Sequence, residues 1–467
     1  MFADIIDSVN TALYGWVLII LLLAVGIYFT FATGFVQLRF FGEALRAAKE
    51  KPAVKGGISS FAALMTSTAS RVGTGNIIGV STAICLGGSG AVFWMWVIAL
   101  IGGATAFIES TLAQIYKKRS PDGSCYGGPS YYIETALKKR LPALVFAVCL
   151  ILTYAGGFNL LASYNLHSTF EGYAFYQGAA PYILGAVLAL LFGLCIFGGG
   201  KRIAKISQIA VPVMGIFYVL LALAVIILNL DLLPAVFSSI FADAFDFRSI
   251  FGGFGGSCLM YGIKRGLFSN EAGVGSAPNA AATALVSHPV KQGLVQMLSV
   301  FIDTLLLCTA TALMCLCSGV APEASLAGAP YAQASLANVF GIWGQHFLTF
   351  AMVLFVFTTL LGNFYYCEGC LRYIFGHVPK QSVNFCFRLT AVAIVFVGTM
   401  VSLDLAWDIA DVLMGIMALI NLPVIFLLQK PALKALADYK EQKQQGSNPV
   451  FKKSNIGISH PTDFWNS

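Results

Sequence analysis

The sequence predicts an all-α integral membrane protein of about eleven transmembrane helices: two five-helix repeats preceded by one additional N-terminal helix, with two helices discontinuous. Three observations carry this expectation. The 467 residues are 58% hydrophobic and 10% charged, against roughly 25% charged in a soluble domain. Apolar runs of about 20 residues, the length that crosses a bilayer, recur along the chain. Two of those runs are interrupted by stretches that mix charge, amide and glycine. They are Ser70-Arg71-Val72-Gly73-Thr74-Gly75-Asn76 and Lys264-Arg265-Gly266-Leu267-Phe268-Ser269-Asn270-Glu271-Ala272-Gly273.

The spans fall near 15–37, 60–85, 91–116, 143–165, 181–198, 205–230, 251–284, 290–319, 345–375, 385–403 and 407–429. The first is read as a retained span rather than a signal peptide. Asp4 and Asp7 precede it, no basic residue does, and no small-residue cleavage site follows. The seventh is too long for one helix and contains the second interruption. The organisation expected is a first helix and basic loop (1–59), a first repeat (60–230), a second repeat (231–429) and a tail (430–467). Within the tail, 430–445 has the amphipathic pattern of a helix on the inner leaflet. From Gly446 onward the composition predicts disorder.

Positive charge alternates between loops. Arg39, Arg46, Lys49, Lys51 and Lys55 follow span 1; Lys117, Lys118, Arg119, Lys138, Lys139 and Arg140 follow span 3; Lys201, Arg202 and Lys205 follow span 5. Lys291, Arg372, Lys380, Arg388 and the tail lysines continue the same side. The opposite loops carry acids, with Arg248 the exception. The positive-inside rule then places the N-terminus outside and the C-terminus in the cytoplasm. The net charge of +7 is spread over many short loops, so it does not indicate a nucleic-acid partner.

Broken helix inside a bilayer survives only where protein or a polar cavity surrounds it. A break frees N–H groups at one half-helix end, which attract anions, and carbonyls at the other, which suit a small cation. One unwound site can therefore hold a zwitterion and a sodium ion together. Gly73 and Gly75 in the first stretch, and Gly266, Gly273 and Gly275 in the second, permit turns and close approach to a ligand. Thr74, Asn76, Ser269 and Asn270 add polar side chains. Gly75-x-x-x-Gly79 and Gly252-x-x-x-Gly256 also match helix-packing motifs. Packing alone does not explain Arg71, Lys264, Arg265 and Glu271 at or near the breaks, since a charge at mid-membrane costs about 2.5–3.5 kcal/mol.

Glu109 and Asp303 lie on apolar helices, each open to three readings: an ion ligand, a proton carrier, or a structural partner of Arg71 or Arg265. Structural pairing is the expectation. Thr358 and Thr359 on span 9 would suit sodium if they faced the first break; alternatively their hydroxyls bond their own i−4 carbonyls. Most of the eleven cysteines lie in apolar spans and act as small apolar residues. Cys367-x-x-Cys370 has no second pair to complete a zinc site. No HExxH or GxSxG element is present, and Gly198-Gly-Gly-Lys-Arg202 lacks phosphate-loop spacing. An intramembrane enzyme or an ATP-driven pump is therefore not expected. A channel would line its path with repeated rings, whereas the polar residues here cluster at two internal breaks.

Several stretches resemble the sodium:alanine/glycine symporter family: Gly73-Thr-Gly-Asn-Ile-Ile-Gly-Val80, Gly90-Ala-Val-Phe-Trp-Met-Trp-Val97, Gly127-Gly-Pro-Ser-Tyr-Tyr-Ile133 and Phe268-Ser-Asn-Glu-Ala-Gly-Val-Gly-Ser-Ala-Pro278. His288-Pro-Val-Lys-Gln-Gly293, Phe301-Ile-Asp-Thr304 and Phe357-Thr-Thr-Leu-Leu-Gly-Asn-Phe-Tyr-Tyr366 continue the likeness in order. The resemblance implies an inverted-repeat fold of the leucine-transporter type in a bacterial or archaeal cytoplasmic membrane. It also implies sodium- or proton-coupled uptake of small neutral amino acids, with no cofactor beyond the coupling ion. It maps the substrate site onto Gly73, Thr74, Gly75, Asn76 and Ile77 and onto Phe268, Ser269, Asn270 and Gly273. The sodium site maps onto carbonyls near Ala69 and Val72 with Thr358 and Thr359. Where alanine and glycine relatives often carry tryptophan, this chain has Asn363, which makes room for a larger polar substrate such as glutamine. Ala106 replaces a lysine common among relatives. Sodium-driven symport is the primary expectation, and proton coupling through Glu109, Glu271 or Asp303 the alternative.

Overall fold

The computed structural model describes residues 2–53, 57–120, 123–246, 257–457 and 462–465. Lys55, Arg248, the Gly252-x-x-x-Gly256 motif and His460 lie outside these residues. The architecture is helical; a small antiparallel hairpin pairs Lys118–Arg119 with Cys125–Tyr126. Among the described residues eight helices are long and apolar enough to cross a membrane: Ser8–Ala32, Ala91–Ile115, Arg140–Ser168, Arg202–Leu228, Pro289–Leu316, Ile342–Phe375, Gln381–Gly398 and Asp404–Gln444. Gly75–Gly87 and Ala180–Ile196 are shorter apolar helices. Ala180–Ile196 and Gly200–Leu228 expose Ile183, Leu190, Ile209, Ile216 and Leu220 on their outer faces. Helices that stay apolar on their exposed side are matched to lipid rather than water.

Two helices are interrupted. The first begins at Ser59, whose hydroxyl accepts from the Ala62 N–H at 3.1 Å, a cap worth about 1 kcal/mol. It runs over Ser60–Arg71 and stops at Val72, where ψ swings to +90°. It resumes through a π-helical turn, Gly75–Gly79, into Val80–Gly87. The second is capped the same way: the Ser257 hydroxyl accepts from the Met260 N–H at 3.2 Å. It runs over Cys258–Asn270 and resumes as Ala277–Ala281. Between these halves Glu271, Gly273 and Gly275 have φ of +52°, +86° and +88°, which reverses the backbone.

The second interruption therefore spans 271–276, and the stretch from Lys264 to Asn270 is helical, unlike the sequence expectation. Gly266 belongs to packing: a Cβ there would lie 2.5 Å from Ile98 Cγ2, and one on Gly262 would lie 2.5 Å from the Ala91 carbonyl oxygen. These glycines bring the second broken helix onto Ala91–Ile115.

Other boundaries also differ from expectation. The first helix starts at Phe2 and passes through a π turn at Leu13–Val17 into Leu18–Ala32. The last is one helix, Leu403–Gln444, carrying Pro423 and Pro431 internally. Its final turns do not form a separate leaflet helix: Ala432, Ala435, Leu436 and Tyr439 are buried, and the Tyr439 hydroxyl donates to Glu43 Oε1 at 2.7 Å on the Phe41–Lys49 helix. Beyond Gly446 the chain is ordered where described, with Phe451, Ile456 and Trp465 buried. These few aromatic and aliphatic anchors sit in a polar stretch, so composition alone missed them.

Candidate functional site

The two interruptions lie against each other and against two further helices. At the first, the Gly73 N–H donates to Asn76 Oδ1 at 2.8 Å, and the Asn76 N–H reaches the Gly73 carbonyl at 3.2 Å. In an unbroken α-helix these two N–H groups would serve the carbonyls of Ala69 and Val72. The break thus releases those two carbonyls from their regular partners. Ile342–Phe375 packs directly on this point. A Cβ on Gly73 would overlap the Thr359 hydroxyl, and one on Gly362 would lie 2.9 Å from the Ala69 carbonyl carbon. Close approach, not a left-handed backbone, is what requires glycine at 73: neither Gly73 nor Gly75 has positive φ.

Thr359 Oγ1 is buried with no hydrogen-bond partner. Thr358 points elsewhere, donating to the carbonyls of Leu354 at 3.1 Å and Phe355 at 3.0 Å and lying 3.3 Å from Met214 Sδ. Of the hydroxyl pair, one faces the break and the other is satisfied by its own helix. An unpaired hydroxyl against Gly73, at a break that frees two carbonyls from their helical partners, supplies hard oxygens of the kind a small alkali cation takes.

Asn76 joins the halves. Its Nδ2 donates to Asp303 Oδ1 at 2.8 Å, to the Asp303 carbonyl at 3.1 Å and to Ser269 Oγ at 3.2 Å. Ser269 Oγ donates to Asp303 Oδ2 at 2.6 Å and Thr304 Oγ1 to the same oxygen at 2.8 Å. Asp303 sits in a π-helical segment, Phe301–Cys308, so π turns from both sequence halves meet at this junction. Such turns are frequent at functional sites. Phe268 covers Gly75, where a Cβ would come within 2.8 Å of its ring. It packs between Phe158 and Trp407, each 4.9 Å away by ring centroid.

A second network links the breaks. Ser70 Oγ donates to Asn363 Oδ1 at 2.6 Å and also lies 3.4 Å from Glu271 Oε1. Ser276 Oγ donates to Glu271 Oε2 at 2.6 Å, and Asn363 Nδ2 donates to Asn159 Oδ1 at 3.0 Å. Glu109 accepts the Gly273 N–H at 3.4 Å and Asn421 Nδ2 at 2.9 Å, while Asn421 also donates to the Gly273 carbonyl at 2.9 Å. Tyr132 completes the cluster, its hydroxyl donating to Asn421 Oδ1 at 2.5 Å.

Thr74 and Ile77 are buried at the first break. Asn270 Oδ1 accepts the Ala272 N–H at 3.0 Å and faces Gly102, and its Nδ2 is buried without a hydrogen-bond partner. The expected pairing of Glu109 and Asp303 with arginine does not occur within ion-pair distance among the described residues. Arg71 is 2% exposed and donates to the Gln296 carbonyl at 3.4 Å, with Nε and Nη2 unpartnered. Arg265 instead pairs with Asp411, at 3.3 and 3.2 Å, and stacks 3.8 Å over the Trp407 ring. Lys264 reaches the same carboxylate at 2.9 Å. Asp411, Asn421, Trp407, Phe158 and Asn159 are the residues sequence reasoning passed over. Asp411 and Asn421 are polar residues inside an apolar span, the same signal that singled out Glu109 and Asp303.

Helical spans matched to lipid, meeting at a buried polar junction of broken backbone, define a multi-pass membrane transporter rather than an enzyme. The chain belongs to the sodium:alanine symporter family, whose model matches residues 1–453. It is 44% identical over 463 residues to the probable sodium/glutamine symporter GlnT of Bacillus subtilis, covering 99% of this chain and 95% of that one. It is 45% identical over 446 residues to the amino-acid carrier protein AlsT of the same organism, covering 95% and 94%. With the putative sodium/proton-dependent alanine carrier protein YrbD, also of B. subtilis, it shares 43% over 476 residues, covering 99% and 97%.

Proposed function

We propose that this protein is a sodium-coupled symporter that takes up small neutral amino acids, such as alanine, glycine or glutamine, by alternating access. The observation that carries the reading is the unpaired, buried Thr359 hydroxyl set against Gly73 at the first break, where the carbonyls of Ala69 and Val72 lose their regular helical partners. Sodium is held there. The amino acid lies along the backbone of Gly73 to Ile77 and beneath Phe268, with Ser269 and Gly273 at the facing half-helix. Asn363 approaches the substrate side chain from the Thr359 face of its helix, one turn away. An amide at this position supports a polar substrate, and a relative named as a glutamine symporter agrees with it.

The architecture in this reading has about eleven spans, two five-helix repeats of inverted topology and one helix before them. Matching serine caps at Ser59 and Ser257, ahead of the two interruptions, support it. The alternating loop charge puts the C-terminal side in the cytoplasm of a bacterial or archaeal cell. One charge falling through 100 mV yields about 2.3 kcal/mol, and a tenfold sodium gradient adds about 1.4 kcal/mol. Together these support a several-hundredfold substrate gradient.

A second reading rests on Asp303. Its carboxylate accepts from Asn76, Ser269 and Thr304 with no cationic side chain at ion-pair distance among the described residues. A proton taken there would couple transport to pH, and one relative is named sodium/proton-dependent. Uptake of labelled alanine, glycine, serine and glutamine into proteoliposomes at fixed pH, with sodium or with choline, separates the two. Sodium coupling predicts loss of accumulation in choline; undiminished accumulation refutes it and favours Asp303.

A further inference from the structure

After Gln444 the chain turns back at Gly446 and ties three parts of the molecule together. Along the last helix, Gln442 and Val450 exchange hydrogen bonds of 2.9 and 3.1 Å, and Asn455 Nδ2 donates to Asp438 at 3.0 Å. Toward the segment that follows the second broken helix, the Phe451 N–H donates to the Ser287 carbonyl at 2.9 Å. Ser287 Oγ in turn donates to the Pro449 carbonyl at 2.8 Å. Lys291 Nζ bridges Glu50 and Asn448 at 2.7 Å each. Toward the end of Ala91–Ile115, the Trp465 indole donates to the Gln114 carbonyl at 2.8 Å, and the Arg119 N–H donates to Asp463 at 2.9 Å.

The side chains roofed by the tail are those that grip the end of the second broken helix. Gln114 Nε2 donates to the carbonyls of Ala281 and Ala284 at 2.5 and 3.0 Å, and Lys117 Nζ donates to Ala284 at 2.9 Å. Phe464 lies 3.9 Å under that same Lys117 ammonium. His288 sits between Tyr439 and Phe451. Its Nδ1 accepts the Val290 N–H and its Nε2 faces Asp438. Burial pushes this imidazole down to about 4, so it stays neutral and keeps this arrangement at physiological pH.

We propose that the described C-terminal residues, 446–457 and 462–465, act as a latch that restrains the far end of the second broken helix, holding it against Ala91–Ile115 and the last helix. The coupling is a continuous run of contacts: Phe464 and Trp465 to Lys117 and Gln114, and these to Ala281 and Ala284. A motion that carries Ala277–Ala281 away from its neighbours pulls on Ser287, which the tail holds directly through Pro449 and Phe451, and on the Gln114 and Lys117 side chains beneath Phe464 and Trp465. This inference does not depend on which substrate or ion is carried.

The reporter is the native Cys370, which is 1% exposed and lies 3.9 Å from Asn279. It belongs to Ile342–Phe375, a helix that makes none of the tail contacts just described. N-ethylmaleimide labelling of the full chain in detergent, resolved at Cys370 by peptide mass spectrometry, is compared with a chain ending at Gln445. The double variant Phe464→Ala/Trp465→Ala decides if the truncated chain does not fold. A latch predicts that Cys370 labels at least about fivefold faster once the tail is released. An unchanged rate in a folded variant overturns the proposal, whether or not the protein transports any amino acid.

Discussion

Two adjacent threonines illustrate how finely the site is drawn. Thr358 and Thr359 differ by about 100° around one helix, which sends one hydroxyl to its own carbonyls and the other to the break. Thr359→Val removes a hard oxygen while keeping the side-chain shape. The sodium concentration for half-maximal uptake should rise at least tenfold, which corresponds to about 1.4 kcal/mol. Thr358→Val deletes a hydroxyl already bonded within its own helix and should shift the same value less than twofold. Sodium titration of uptake in both variants checks this, and equal effects would remove Thr359 from the site. The sequence could not separate the two, because both assignments fit a hydroxyl pair until the helix phase was known.

The second broken helix is anchored on both sides of its break, and its anchors differ in kind. Before the break, Lys264 and Arg265 share the single carboxylate of Asp411. Within it, Asn421 and Glu109 hold Gly273; after it, Gln114 holds the Ala281 carbonyl. Removing one partner of a buried ion pair costs about 3–5 kcal/mol, because the remaining charge is left uncompensated. Asp411→Asn strands two cations at once. We expect it to lower the thermal unfolding midpoint in detergent by several degrees and to loosen Trp407 beneath Arg265; a midpoint equal to wild type would contradict this. At this scale the sequence located the first break, within 70–76, and overran the second, which it began at Lys264. Glycine marked both interruptions. The boundary at Glu271 was hidden because Lys264 and Arg265, polar within an apolar run, looked like part of the gap. They are helical residues whose charges are met by Asp411, more than 140 positions away in sequence. The ordered tail was hidden for a related reason: four aromatic and aliphatic anchors do not outweigh a polar composition, and only their partners on other helices fix them.

For the molecule as a whole, the two interruptions work as one unit. Asn76 ties the first to Ser269 of the second and to Asp303 of a third helix. Ser70 ties the first to Glu271 within the second and to Asn363. These bonds join the two halves of the sequence at one junction, so a ligand that binds one arrangement of it better than another biases both halves together. The helical membrane architecture and the family were legible from composition, breaks and motif order. The side-chain circuit was not, since the links that join the two breaks, Asn76 to Ser269 and Ser70 to Glu271, connect residues 193 and 201 positions apart. The most direct test is sodium-driven uptake of labelled amino acid by Asn76→Ala, reconstituted at wild-type density and with a wild-type unfolding profile. If the paired breaks form the carrier site, uptake falls at least a hundredfold, about 2.7 kcal/mol; uptake at the wild-type rate would show that the site lies elsewhere.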